Sequence, residues 1–141
     1  MRRLILASAL LAGLLLAPIA AACAPAGSAE TEGGVVWTDG VEAGLADAAR
    51  RGVPALVYVR RTEPPCRACI ELDARVFSQE RSRALSDCFA AVRLTVAGAP
   101  GSAEAAFLRR YAVSGTPTLL VLNGRGHLLR RIAGQTLHEM L

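Results

Sequence analysis

Two cysteines in the 141-residue chain stand two residues apart, in Cys66-Arg67-Ala68-Cys69. That spacing closes a small disulfide ring or supplies half of a metal site. The pair follows an apolar run of strand length and opens a helical pattern. At a helix start, unpaired N–H groups and the positive dipole end stabilise a thiolate. Cys66 gains most from that position and faces outward, while Cys69 turns inward along the helix. Arg67 adds a neighbouring cation that lowers the Cys66 pKa further. A stabilised thiolate beside a resolving thiol performs thiol–disulfide exchange. Cys66 attacks, a mixed disulfide forms, and Cys69 resolves it. Two other chemistries stay open for the same residues: a static disulfide, and a zinc or copper half-site that needs further soft ligands. Cys88 precedes a strand and reads as a small buried hydrophobe, not a ligand. His127 and His138 are isolated and read as surface residues.

A second segment, Gly115-Thr116-Pro117-Thr118, opens an apolar strand pattern about 50 residues later. Proline is tolerated at a strand start. A cis bond there would turn the chain tightly and present the Thr116 backbone to a partner, but the residues alone leave Pro117 as a proline beginning a strand.

Several elements must position these segments. Val35-Val36-Trp37 is a short strand candidate. Asp39 is placed to cap a helix from Val41 to Arg51, with Val41, Leu45 and Ala48 or Ala49 inward and Gly52 as its stop. Residues 54–59 form a near-continuous apolar run suited to a strand buried on both faces. Residues 60–65 read as a loop, and 66–76 as the helix that carries both cysteines. Ser78 is placed to cap further turns through Leu85. Residues 89–96 read as a strand, 97–102 as a loop and 103–111 as a helix. Residues 118–122 and 127–132 form a hairpin around Asn123-Gly124-Arg125-Gly126. A last helix begins at Thr136. The order β-α-β-α-β-α-β-β-α implies an α/β domain, a mostly parallel sheet with helices on both faces and an antiparallel edge.

The amino-terminal residues set the compartment. Arg2 and Arg3 precede an apolar run over residues 4–20 and a small-residue exit, Ala20-Ala21-Ala22, which is the grammar of a secretory signal over 1–22. A retained anchor is the bland alternative; the run is near the lower limit for a span and contains Pro18. Cys23 follows the exit as a lipidated mature N-terminus would, although Ala20 stands where a larger aliphatic residue is usual. Residues 23–34 are rich in Ala, Gly, Ser and Glu and read as a flexible tether. A soluble exported protein is the competing reading. The domain then occupies 35–141, enough for one modest core. Hydrophobic residues make up 52% of the chain, and much of that excess lies in the leader. Composition excludes disorder and a multi-span membrane protein. The net charge is +4, all of its cations are arginine, and the arginine pairs sit at element ends instead of along one stripe. That pattern gives no nucleic-acid footprint.

The combination of Trp37, the Cys66–Cys69 pair, Gly115-Thr116-Pro117-Thr118, Asn123-Gly124 and Gly134 resembles the thioredoxin superfamily, over about 100 residues. The stretch after the cysteines is most similar to thioredoxin-like domains of bacterial periplasmic thiol oxidoreductases. The resemblance implies a thioredoxin-like fold with a central mixed sheet. It implies Cys66 as nucleophile and Cys69 as resolving thiol, disulfide-bonded to each other in the oxidised state. It also implies a cis Pro117 against that disulfide and a Thr116 backbone that binds substrate. No cofactor or metal is implied. The partners would be protein thiols and disulfides and an upstream redox partner, with the chain a monomer. Thr116 before the proline resembles reductases and isomerases of the family. Three departures stand out. Pro65 occupies the usual place of a tryptophan, the loop before Cys66 is about two residues longer, and Tyr58 stands where the family often carries a buried acid, leaving that role empty. A metallochaperone and a non-catalytic interaction module are the rival functions.

Overall fold

A computed structural model describes residues 34–96 and 102–133. The leader, Cys23, most of the tether, the loop at 97–101, Gly134, His138 and the expected last helix lie outside the described residues.

Five strands form one sheet in the order β1-β3-β2-β4-β5. They are β1 (Thr38–Asp39), β2 (Ala55–Arg61), β3 (Ala90–Val96), β4 (Thr118–Leu122) and β5 (Leu128–Ala133). β1, β3 and β2 run parallel, while β4 and β5 are antiparallel to their neighbours. The sheet is therefore mixed, as the element order and the closing hairpin imply. The helices are α1 (Val41–Arg51), α2 (Arg67–Leu72), α3 (Ala84–Cys88) and α4 (Ala103–Arg110). A π-helical turn (Asp73–Phe77) prolongs α2, and a 3₁₀ turn (Glu80–Arg83) leads into α3.

β2 is central and its side chains alternate between two cores. Ala55, Val57 and Val59 join Val92, Leu120 and Leu122 beneath α1 and α4. Leu56 and Tyr58 join Leu72, Phe77 and Leu119 on the side of α2. α1 begins and ends where the sequence places it. Gly52 closes it in the left-handed conformation with φ 66°, which glycine adopts without a Cβ penalty. Its tightest contact is made by Gly44, where a Cβ would collide with the Val92 side chain on β3.

Four local readings are corrected. The first strand starts at Thr38, because the Val35 N–H bonds to the Phe77 carbonyl (2.8 Å) and the Val36 N–H to Ser86 Oγ (2.8 Å). Asp39 does not cap α1; Gly40 is the N-cap residue and no side chain bonds there, since Asp39 is drawn to Arg93 across the sheet. Ser78 ends the π-helical turn instead of starting a helix, with its hydroxyl on the Ala74 carbonyl. Arg60 and Arg61 continue β2 instead of forming a loop, pairing with Thr95 and Val96.

Candidate active site

β2 leads the chain to one end of the sheet, and a short turn over residues 62–65 reverses it into α2. Cys66 is the N-cap residue of α2, with extended φ −102° and ψ 97°. Its sulfur accepts a hydrogen bond from the Cys69 N–H at 3.2 Å, satisfying one of the unpaired donors at the helix start. Cys66 and Cys69 are disulfide-bonded, with Cα atoms 5.2 Å apart. Both are buried, Cys69 fully and Cys66 to 6% of its surface, so Cys66 is less open than the outward position expected from the sequence.

Strand pairing supplies the opposite wall. Val59 on β2 pairs with Thr118 on β4, which brings residues 115–117 beside the cysteines despite the long sequence separation. The Thr116–Pro117 bond is cis. The Thr116 carbonyl lies 3.8 Å, and its hydroxyl 3.7 Å, from Cys66 Sγ. The Thr118 hydroxyl donates to the Gly115 carbonyl at 2.8 Å and holds the turn. Cys66, Cys69, Thr116 and Pro117 are thus gathered in one place.

Arg67, expected as a neighbouring cation to Cys66, turns its side chain to solvent and to a carboxylate. Its side chain is 93% exposed and pairs with Glu71 four residues on, Nε to Oε1 3.0 Å. Cys88, expected as a buried hydrophobe, is half-buried at the end of α3, and its thiol is not free. Among the described residues, no group of three or more His, Cys, Asp or Glu could hold a metal ion. Glu63 is exposed, and His127 is on the surface.

Behind Cys69 lies a polar cluster that the sequence reading missed. Tyr58 is fully buried against Trp37 and Phe77, with ring centroids at 5.5 and 4.9 Å. Its hydroxyl donates to the Cys69 carbonyl at 3.2 Å and lies near enough to the Asp73 carboxyl for the two to influence each other. Asp73 Oδ2 is 2.7 Å from Arg60 Nη1. Burial, reinforced by the Asp73 charge, pushes the Tyr58 hydroxyl far above its ordinary range. Burial also holds the Asp73 carboxyl above the usual carboxylate range, against the opposing pull of Arg60, Tyr58 and Arg93. The available signal was the spacing of Cys69 and Asp73, one turn apart and so on one helix face.

No curated protein matches the chain in sequence. Solved structures do match in fold. A thioredoxin from Thermus thermophilus is 24% identical, with a TM-score of 0.58 over 76% of this chain and 87% of that one. A putative disulphide-isomerase from Bacteroides thetaiotaomicron is 21% identical, with a TM-score of 0.60 over 78% and 93%. The C-terminal domain of DsbD from Neisseria meningitidis, in its oxidised form, is 18% identical, with a TM-score of 0.56 over 71% and 90%. At these identities the likeness is one of fold. The family model of the thioredoxin-like domain matches residues 41–141, most of the chain. With the paired cysteines and the cis proline facing each other across one end of this sheet, the chain belongs to the thioredoxin-like family.

Proposed function

We propose that this thiol–disulfide oxidoreductase works outside the cytoplasm, as a reductant of protein disulfides. The observation that carries the exchange chemistry is the placement of the Cys66 sulfur, while the reductant direction rests on Thr116 before Pro117, which resembles reductases and isomerases of the family. That sulfur caps α2, bonds the Cys69 N–H and faces Thr116, whose bond to Pro117 is cis. In the reduced protein the same N–H stabilises a Cys66 thiolate. That thiolate attacks a substrate disulfide, and one substrate sulfur leaves as a thiol. Cys69, a few ångströms away, then attacks Cys66 Sγ. The second substrate sulfur leaves, and the Cys66–Cys69 disulfide closes. Two electrons have passed to the substrate, and an upstream thiol partner restores the pair. The electrons reside in the cysteines, so the exchange requires no cofactor.

Thr116 is proposed to offer its backbone to an extended substrate segment, and Pro117 to shape the wall beside Cys66. Arg67 contributes little tuning, because its charge is shared with Glu71 and bathed in water. Export rests on the leader-like residues 1–22. Cys23 is proposed as an acylated mature N-terminus, and a soluble exported protein cut near it is the rival. The intact mass of the mature protein separates the two, since acylation adds the mass of its lipid chains.

The deciding experiment is the reduction potential of the Cys66–Cys69 couple, measured by equilibration with thiol redox buffers. A value near about −270 mV fits the reductant, and one near about −120 mV replaces it with an oxidant. A metallochaperone would instead retain stoichiometric Cu(I) or zinc through dialysis.

A further inference from the structure

We infer that the pole of the domain opposite the cysteines docks on a membrane surface rich in anionic phospholipid, through the β4–β5 hairpin and the end of α4. This surface takes no part in the exchange chemistry, and the inference holds for either direction of electron flow.

The strand pairing defines the two poles. Val59 and Thr118 pair at the cysteine end, and Ala55 and Leu122 pair at the other, roughly 13 Å further along the strand. The turn over residues 123–127, between β4 and β5, therefore lies at the second pole. The end of α4 meets it there. The Tyr111 hydroxyl donates to the Gly126 carbonyl at 2.6 Å, and the Arg131 guanidinium bonds the Tyr111 carbonyl. Arg110 lies over the Tyr111 ring, 5.4 Å from its centre.

Between Glu104 and Glu139 the sequence has five arginines and no acidic residue. They look scattered along the chain, but the fold gathers them. Arg109 and Arg110 end α4, Arg125 is in the turn, and Arg130 and Arg131 are on β5. All five are exposed, and among the described residues none of them is in an ion pair. Arg130 and Arg131 leave β5 on opposite sides. Arg109, Arg110 and Arg125 are thus the charges most open to a partner.

Apolar side chains stand among these cations. Leu128 and Leu129 are 41% and 60% exposed, and they are two of the four large apolar side chains exposed among the described residues. The pairing slips at this point. Leu122 opposes Leu128 and Val121 opposes Arg130, so Leu129 is the extra residue of a β-bulge. Such bulges re-aim a side chain, here away from the sheet. Between the hairpin and the end of α1 opens a cleft of about 570 Å³, with Asn123, Arg125, His127 and Leu129 in its wall and no carboxylate. The carbonyl end of α1 is offset by Arg50 and Arg51, which also engage Asp47.

Arginines interleaved with exposed leucines suit a lipid interface, with the guanidinium groups at phosphate level and the leucines at the acyl boundary. The course of the chain favours lipid over a soluble polyanion. Val35 stands three residues before Thr38, which pairs with Val92, and its N–H bonds the carbonyl of Phe77, at the end of the helical run farthest from Cys66. The amino-terminal segment thus joins the domain at the hairpin pole. A chain held to a membrane ahead of Val35 would turn the hairpin toward the lipid and the cysteines toward their substrates.

The test floats the mature chain, residues 23–141, with vesicles; it is made without its leader so that Cys23 carries no lipid. Vesicles made half of phosphatidylglycerol should carry the protein up a density gradient at low salt. Pure phosphatidylcholine vesicles should not, and half-molar salt should release the protein. Arg109→Gln, Arg110→Gln and Arg125→Gln together should weaken binding about 100-fold, at about fivefold per charge. Leu129→Ser should weaken it about fivefold, with the salt dependence unchanged. Arg67→Gln, which removes the same charge at the cysteine pole, should stay within about twofold. Equal binding to both vesicles overturns the proposal, as does a loss in Arg67→Gln as large as that in Arg125→Gln. Binding that follows charge but ignores Leu129→Ser assigns the surface to a soluble polyanion and overturns it equally. Full displacement by free glycerophosphate at the phosphate concentration of the lipid makes the cleft a small-anion site, with the same consequence. Flotation involves no redox step, so its failure leaves the oxidoreductase reading standing.

Discussion

On the side of the sheet covered by α1 and α4, β2 presents Ala55, Val57 and Val59, which are fully buried among other aliphatic residues. On the opposite side the same strand presents Leu56, Tyr58 and Arg60, and there the packing gives way to Trp37, Phe77 and a hydrogen-bonded set of charges. One strand therefore feeds two environments, and alternation alone assigns each residue to its side. The dry side is mostly aliphatic, and its one buried phenol, Tyr111, has its hydroxyl on the Gly126 carbonyl at 2.6 Å. The α2 side gives up some apolar packing to keep a phenol, a carboxyl and two guanidinium groups beside the cysteines. Stability should thus be concentrated in one core and redox chemistry in the other.

The largest test of that contrast is Cys66→Ser. It removes the nucleophile, and reduction of a protein disulfide, followed by alkylation of the released thiols, should fall to the uncatalysed rate. Appreciable turnover in this variant would dissolve the distinction at once. The next effect belongs to the dry side. Leu120 is fully buried there, and Leu120→Ala should cost about 2–5 kcal/mol in urea unfolding. Activity per folded molecule should be preserved, and a loss of exchange rate without a loss of stability would show that the two cores are not separable. The smallest effect is one of pH. The folded protein holds the Asp73 proton more tightly than the unfolded chain does, so this carboxyl favours folding at acid pH. Its contribution is complete below the ordinary carboxylate range and is lost as pH rises through the raised folded value. Urea midpoints of the oxidised protein from acid to neutral pH should carry this falling component, and Asp73→Asn should lack it.

The sequence was most legible where local chemistry and tertiary need agree. α1 could be bounded at both ends because an apolar stripe runs into Gly52, and β4 because Pro117 opens it and Asn123 ends it. The site was legible in its two motifs, since a cysteine pair and a Thr-Pro segment keep their meaning at a distance. Partner choice across the sheet was not legible. Asp39 reads as a helix cap until Arg93 is placed opposite, and Arg60 reads as loop until Asp73 is placed beneath it. The Thr116–Pro117 isomer is likewise fixed by its surroundings and not by the dipeptide. Tyr58 was assigned to the core correctly, but its hydroxyl has meaning only beside Cys69 and Asp73.

β1 consists of only two residues, both exposed, and it touches the sheet through β3 alone. A strand so short detaches at little free-energy cost compared with the interior of the sheet. Detachment would separate Asp39 from Arg93 and leave that guanidinium uncompensated on the Asp73 side. Proton affinity behind Cys69 would drop, by a modest amount for so solvated a pair. Docking of β1 thus raises the proton affinity of Asp73 by a small amount.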